Sequence, residues 1–76
     1  MNSSRQRARD YLDGSSLTDF WEIVREAKIS DEDKSILDAR FIHGRSYQQI
    51  ADEFMITADT VKKRIAKAYD KIATLI

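Results

Sequence analysis

Apolar residues recur every three or four positions along most of the chain, which is the spacing that places side chains on one face of a helix. This pattern predicts four helices, over about 16–28, 31–43, 46–54 and 57–75. Their apolar positions are Leu17, Phe20, Trp21, Val24 and Ala27; Ile36, Leu37 and Phe41; Tyr47, Ile50, Ala51 and Phe54; and Val61, Ile65, Ala68, Ile72 and Ile76. Because the chain has no proline and only two glycines, little interrupts these segments, and the pattern predicts an all-α fold.

Each predicted helix begins at a hydroxyl residue, which can accept a hydrogen bond from a backbone N–H of the first turn. These N-caps are Ser16, Ser30, Ser46 and Thr57. Ser46 and Gln49 also form the S-x-x-Q pattern of a capping box. Gly44 is placed to end the second helix in a left-handed conformation. We therefore expect a small bundle of about four helices.

The segment before these helices carries a weaker signal. Its apolar residues after Ser4 are Ala8, Tyr11 and Leu12. We expect residues 1–14 to form a flexible basic arm or a frayed helix, and residues 15–76 to form a single helical domain. The arginines at positions 5, 7 and 9 either follow DNA phosphates or only keep the chain in solution.

Composition excludes several classes of protein. The 76 residues can bury one small core, there is no cysteine, and a lone histidine cannot make a zinc site. No apolar run reaches the ~20 residues that span a bilayer, and the N-terminus lacks the apolar run of a signal peptide. We expect a cytoplasmic protein with no metal and no cofactor. It is not expected to be an enzyme, since no histidine accompanies a serine nucleophile and no glycine-rich loop is present.

A net charge of zero hides a charge gradient along the chain. Residues 10–33 carry eight acids and two bases, whereas residues 60–76 carry five bases and one acid. Such asymmetry indicates a charged partner.

Residues 46–75 predict a helix-turn-helix. Three residues, 55–57, join the two capped helices, and so short a turn forces them to cross steeply. The small side chain of Ala51 permits close approach, and Ile56 fills the space between the helices. Opposite the core, the last helix presents a basic stripe, which is what docking in a DNA major groove requires. The stripe is formed by Thr60, Lys63, Arg64, Lys67 and Lys71.

The start of the last helix is the segment expected to read bases. Asp59, Thr60 and Lys63 carry groups that suit cytosine, thymine and guanine edges, respectively. Ser46, Gln48 and the free N–H groups of the third helix suit a phosphate.

One ungapped pattern runs through residues 37–72. Its positions are Leu37, Arg40, Phe41, Gly44, Ser46, Ile50, Ala51, Ile56, Thr57, Val61, Lys62, Arg64, Ile65, Ala68, Lys71 and Ile72. The pattern resembles region 4 of bacterial RNA polymerase sigma factors. Arg40, Phe41 and Arg64 favour sigma factors over the related LuxR-type proteins, which usually carry histidine in place of Arg64. The initial methionine favours a short stand-alone protein.

The resemblance implies that the last helix reads a promoter element of the −35 kind. Ala58 stands where primary sigma factors carry arginine, so a different target sequence is expected. The resemblance also implies docking on the flap of RNA polymerase, with residues 16–33 as the candidate surface. Since 76 residues cannot also hold a domain that binds the −10 element, the chain is not expected to act alone as a sigma factor. With the residues above, the candidate DNA contacts are Ser46, Gln48, Thr57, Ala58, Asp59, Thr60, Lys62, Lys63, Arg64 and Lys67.

The leading prediction is sequence-specific binding of double-stranded DNA in bacterial, phage or mobile-element transcription regulation. Zero net charge favours an alternative, a module that binds RNA polymerase or a sigma partner and has little DNA binding of its own. A LuxR-type or DNA-packaging helix-turn-helix is a further alternative. The apolar end of the last helix, through Ile72, Leu75 and Ile76, leaves a homodimer open.

Overall fold

Five α-helices form the described part of the chain, residues 3–76 of a computed structural model, and that part has no strand. They are α1 (Ser3–Gly14), α2 (Leu17–Glu26), α3 (Asp31–Leu37), α4 (Tyr47–Phe54) and α5 (Ala58–Ala73). The predicted helix over 31–43 is α-helical only as far as Leu37. It continues as a π-helical turn at Asp38–Ile42. The predicted all-α bundle with a C-terminal helix-turn-helix is confirmed.

The four predicted N-caps are confirmed. Each hydroxyl accepts a hydrogen bond from the backbone N–H three residues later, at distances between 3.1 and 3.3 Å. The capping box is complete, since the Gln49 side chain accepts a hydrogen bond from the Ser46 N–H at 2.8 Å. Gly44 has the predicted positive φ, at 64°. Local hydrogen bonds therefore set where α2 to α5 begin.

The segment for which the sequence leaves a flexible arm or a frayed helix open is the helix α1 over residues 3–14, and residues 1 and 2 lie outside the described residues. α1 packs against α5. Its Ala8 and Leu12, four positions apart, are buried in the core. Arg5 donates two hydrogen bonds of 2.9 Å to Asp70 on α5. Two apolar positions suffice here because α5 supplies the other half of the contact.

The core face of α2 also differs from the predicted stripe. Phe20, Ile23 and Val24 are buried, whereas Leu17 is 61% exposed and Trp21 is 37% exposed. The edge of the Trp21 ring meets Phe20, with ring centroids 5.0 Å apart. The core face of α2 therefore includes Ile23, which the predicted stripe omits, and leaves Leu17 and part of Trp21 exposed.

The end of α5 packs on its own chain. Ile72 is fully buried, while Leu75 and Ile76 are 44% and 40% exposed. The described residues give no support for the homodimer that the sequence leaves open. Within residues 3–76, no helix combines the length and apolarity needed to cross a membrane.

Met55, in the turn between α4 and α5, occupies the left-handed region at φ 59° and is 91% exposed. In this region a residue with a Cβ is destabilised by about 1–2 kcal/mol, whereas glycine is not. We expect Met55→Gly to raise the free energy of unfolding by about 1 kcal/mol, measured by urea denaturation. Met55→Ala, which keeps the Cβ, is the matched control and should bring no such gain. Equal stability of the two variants would contradict this account.

Candidate nucleic-acid interface

The crossing of α4 over α5 has the predicted helix-turn-helix packing. Ile50, Ala51 and Val61 are fully buried where the two helices meet. In the turn, the Ile56 N–H donates to the Ala51 carbonyl at 3.0 Å, and the Ile56 side chain packs against the core. Because Ala51 has so small a side chain, the turn backbone can close onto α4. This packing fixes how α5 is presented to solvent.

Hydrogen bonds organise the first turn of α5. The Thr57 hydroxyl accepts from the Thr60 N–H at 3.1 Å and lies 2.9 Å from the Thr60 hydroxyl. Ala58 is partly buried against the core, and Asp59 is exposed. Of the predicted contacts in this turn, Asp59 is exposed and forms no hydrogen bond with a described side chain, whereas Thr57 and Thr60 hold each other in place.

An exposed row runs along α5 at intervals of four residues: Asp59, Lys63, Lys67 and Lys71. Lys63 and Lys67 form no ion pair with any residue between 3 and 76. The row lies opposite the buried Val61, Ile65 and Ile72. Helical geometry therefore gives α5 a free cationic face, as the sequence predicts for Lys63 and Lys67.

Arg64 does not belong to this free face, which corrects its predicted place in the basic stripe. Its Nη1 lies 2.6 Å from Glu32 Oε1 and 3.4 Å from Asp33 Oδ1. Both acids are in the first turn of α3. Arg64 therefore ties α5 to α3, and its partners lie too far away in sequence for helical periodicity to reveal them.

Removing the Arg64 pairs should have a small effect on stability. The Arg64 side chain is 35% exposed, so solvent screens the attraction. We expect Arg64→Ala to lower the free energy of unfolding by about 0.2–1 kcal/mol. A double-mutant cycle with Glu32→Ala, at low and high salt, measures the coupling. A coupling energy of zero at low salt would show that the pair does not hold the helices together.

Two cations lie against the Tyr47 ring, on the flank of α5 opposite Arg64. Lys62 Nζ lies 5.7 Å from the centre of the Tyr47 ring, and Arg40 Cζ lies 4.6 Å from it. Arg40 also donates to the Arg45 carbonyl at 3.0 Å. Arg40 was singled out in the sequence only through the family pattern, because cation–π contacts between separate helices leave no trace in spacing.

The remaining candidates lie at the start of α4, next to this group. Ser46 is exposed, but its side chain serves the capping box. Gln48 is exposed and donates to Asp52 Oδ1 at 3.0 Å. Both side chains thus already have partners, and the start of α4 remains at the surface.

A model of the family described as "Sigma-70, region 4" matches residues 27–73. The match includes α3, α4, α5 and every candidate contact, while α1 and α2 precede it. No curated protein and no solved structure matches the chain. Since the matched segment makes up more than half of the sequence, and its helix-turn-helix has the geometry just described, the chain belongs to the sigma-70 region 4 family of DNA-binding domains in transcription.

Proposed function

We propose that this protein binds double-stranded promoter DNA in a sequence-specific manner, with α5 in the major groove, and so regulates bacterial, phage or mobile-element transcription. The observation that carries the proposal is the exposed row on α5, in which Lys63 and Lys67 are free of ion pairs within residues 3–76. Lysines that are not neutralised within the protein are available to replace counterions on DNA phosphates.

The candidates divide by position into base readers and backbone contacts. In this proposal Asp59 and Lys63, in the first two turns of α5, meet base edges in the groove, and the charge of Lys63 also neutralises a nearby phosphate. Lys67 lies one turn further along α5 and meets the backbone. Lys62 lies on the flank beside the start of α4, where Ser46, Gln48 and the unpaired N–H groups of the first turn meet phosphates.

Three other candidates act indirectly in this proposal. Thr57 and Thr60 fix the first turn of α5 through their mutual hydrogen bonds. Arg64 holds α5 against α3. Ala58 adds only a methyl group near the DNA, so base selection falls to Asp59 and Lys63.

Selection from a random pool of double-stranded DNA, carried out with the purified chain at two salt concentrations, tests the proposal. A recovered consensus that Lys63→Ala alters at one base position would support it. Recovery of DNA without any consensus at low salt would exclude sequence-specific reading by the chain on its own.

RNA polymerase is a second candidate partner, favoured by the exposed aromatic surface on α2. Trp21 and Leu17 leave a large apolar area uncovered, and Trp21 borders a hollow of about 440 Å³ beside Arg25 and Lys34. Tryptophan and arginine are the residue types that most often anchor protein partners.

Capture of purified polymerase that survives high salt, and that Trp21→Ala abolishes, would support this contact. Capture unchanged by Trp21→Ala would place the contact elsewhere.

A further inference from the structure

A cleft lies at the junction between α1 and the helix-turn-helix. It consists of two adjoining hollows of about 280 Å³ each, and both are bordered by Arg9, Tyr47 and Tyr69. Arg40 borders the first hollow and Lys62 the second. Residues from α1, the π-helical turn, α4 and α5 thus meet here. Since the family match begins at residue 27, the α1 side of this cleft lies outside the matched segment.

The charge of the cleft is mainly positive. Arg9, Arg40 and Lys62 border it from three different elements, and Asp13 is the acid that borders it. Asp10 approaches Arg9 Nη2 only to 3.9 Å, and the Arg9 side chain remains 50% exposed. Arg5, which also borders the cleft, is hydrogen-bonded to Asp70. Of these three cations, only Arg9 has a described carboxylate within ion-pair distance, so the charge of the cleft is incompletely neutralised.

The two tyrosines give the cleft a defined shape. The Tyr47 ring lies beneath Arg40 and within 5.7 Å of Lys62, so it holds both cations near the opening. Tyr69 is buried, and burial raises the pKa of its hydroxyl to about 12. The Tyr69 hydroxyl therefore stays protonated at neutral pH and adds no negative charge to the cleft.

The cleft lies beside the start of α4, because Tyr47 is the first residue of that helix. Lys62 joins the cleft to the first turns of α5. On the opposite flank of α5, Arg64 is paired with Glu32 and Asp33 of α3, so its charge is already neutralised within the protein. A backbone that follows the major groove around α5 is therefore drawn to the side of the cleft.

We propose that this cleft binds a backbone phosphate of the DNA that α5 reads. Arg9 on α1, which lies outside the segment that matches the family, is one of the contacts to this phosphate. Guanidinium groups match phosphate geometry through paired N–H donors, which favours a phosphate over a simple halide ion. The inference rests on the proposed DNA-binding function, and it makes α1 part of the DNA interface rather than only a support for α5.

Arg9→Gln tests the inference, with Arg7→Gln as the matched control. Both variants remove one positive charge from α1, but Arg7 Nη2 donates to the Ile76 carbonyl at 3.0 Å and does not border the cleft. The dissociation constant is measured against salt concentration, on the selected duplex and on a random duplex. In Arg9→Gln the slope of log affinity against log salt should fall by about one on both duplexes, because a phosphate contact carries no sequence information. Arg7→Gln should keep the parental slope, and Arg9→Lys should largely restore it.

Each failure has its own signature. An unchanged slope in Arg9→Gln, with the parental protein still binding DNA, overturns the inference and leaves the proposed function standing. Absence of DNA binding by the parental protein overturns the proposed function and the inference together. Titration with inorganic phosphate, followed by NMR, tests whether the cleft binds free phosphate instead of a DNA phosphate. Shifts at Arg9 and Tyr47 without any effect of Arg9→Gln on the DNA salt slope would assign the cleft to a free anion, against the inference. A thermal melt followed by circular dichroism confirms that each variant is folded.

Discussion

Ile50→Ala should lower the free energy of unfolding by about 2–5 kcal/mol. Ile50 is fully buried and is among the largest side chains of the core, at the crossing of α4 over α5. Its truncation leaves a cavity that neighbouring side chains fill only in part. Small domains have total stabilities near the low end of about 5–15 kcal/mol, so a loss at the upper end of the expected range would leave about half of the variant unfolded at room temperature. Urea denaturation followed by circular dichroism measures the change.

Met55→Ala is the control for Ile50→Ala, because it removes an exposed side chain of similar size from the end of the same helix. Its effect should stay within about 0.5 kcal/mol, the usual range for surface positions. A loss below 1 kcal/mol in Ile50→Ala would mean that the α4–α5 crossing is packed much more loosely than the structure shows.

Lys63→Ala combined with Lys67→Ala should lower DNA affinity and reduce the slope of log affinity against log salt by about two. Both lysines are exposed and free of ion pairs within the described residues, so each can release a counterion from the DNA backbone when it binds. If Lys63 also reads a base, the loss on the selected sequence should exceed the loss on a random sequence by about 1–3 kcal/mol. Fluorescence anisotropy with both duplexes, at several salt concentrations, measures these quantities.

Arg25→Ala combined with Lys34→Ala controls for the loss of two positive charges elsewhere on the protein. These residues border the hollow beside Trp21, which no residue of α5 lines. Salt slopes that fall equally in both double variants would indicate a general charge effect and would remove Lys63 and Lys67 from the interface.

Features that depend on a few neighbouring residues could be predicted from the sequence. The capping box needs only Ser46 and Gln49, and the exposed positions of Lys63 and Lys67 follow from the turn of a single helix. The order of α1 could not be predicted, since Ala8 and Leu12 are buried only because α5 lies beside them. Periodicity describes one helix at a time and contains no information about a partner far away in sequence.

In the candidate interface too, features within one helix could be predicted from the sequence and contacts between helices could not. The row on α5 could be predicted, but the pairing of Arg64 with Glu32 and the clustering of Arg40 and Lys62 around Tyr47 could not. These contacts join residues that lie from 7 to 32 positions apart, in separate helical segments. The roles of the individual residues on DNA remain predictions for the experiments above.

The pairing of Arg5 with Asp70 has a consequence for synthesis of the protein on the ribosome. Among the described helices α1 emerges first, yet its buried face is completed by α5, which emerges last. Ala8 and Leu12 therefore stay uncovered from the time α1 leaves the exit tunnel until α5 has left it. Closure of the domain joins residues 65 positions apart, so folding is expected to finish only after release of the C-terminal helix from the exit tunnel. Fragments that stop before α5 would then expose apolar surface on α1, α3 and α4 at once, which makes them ready substrates for proteases.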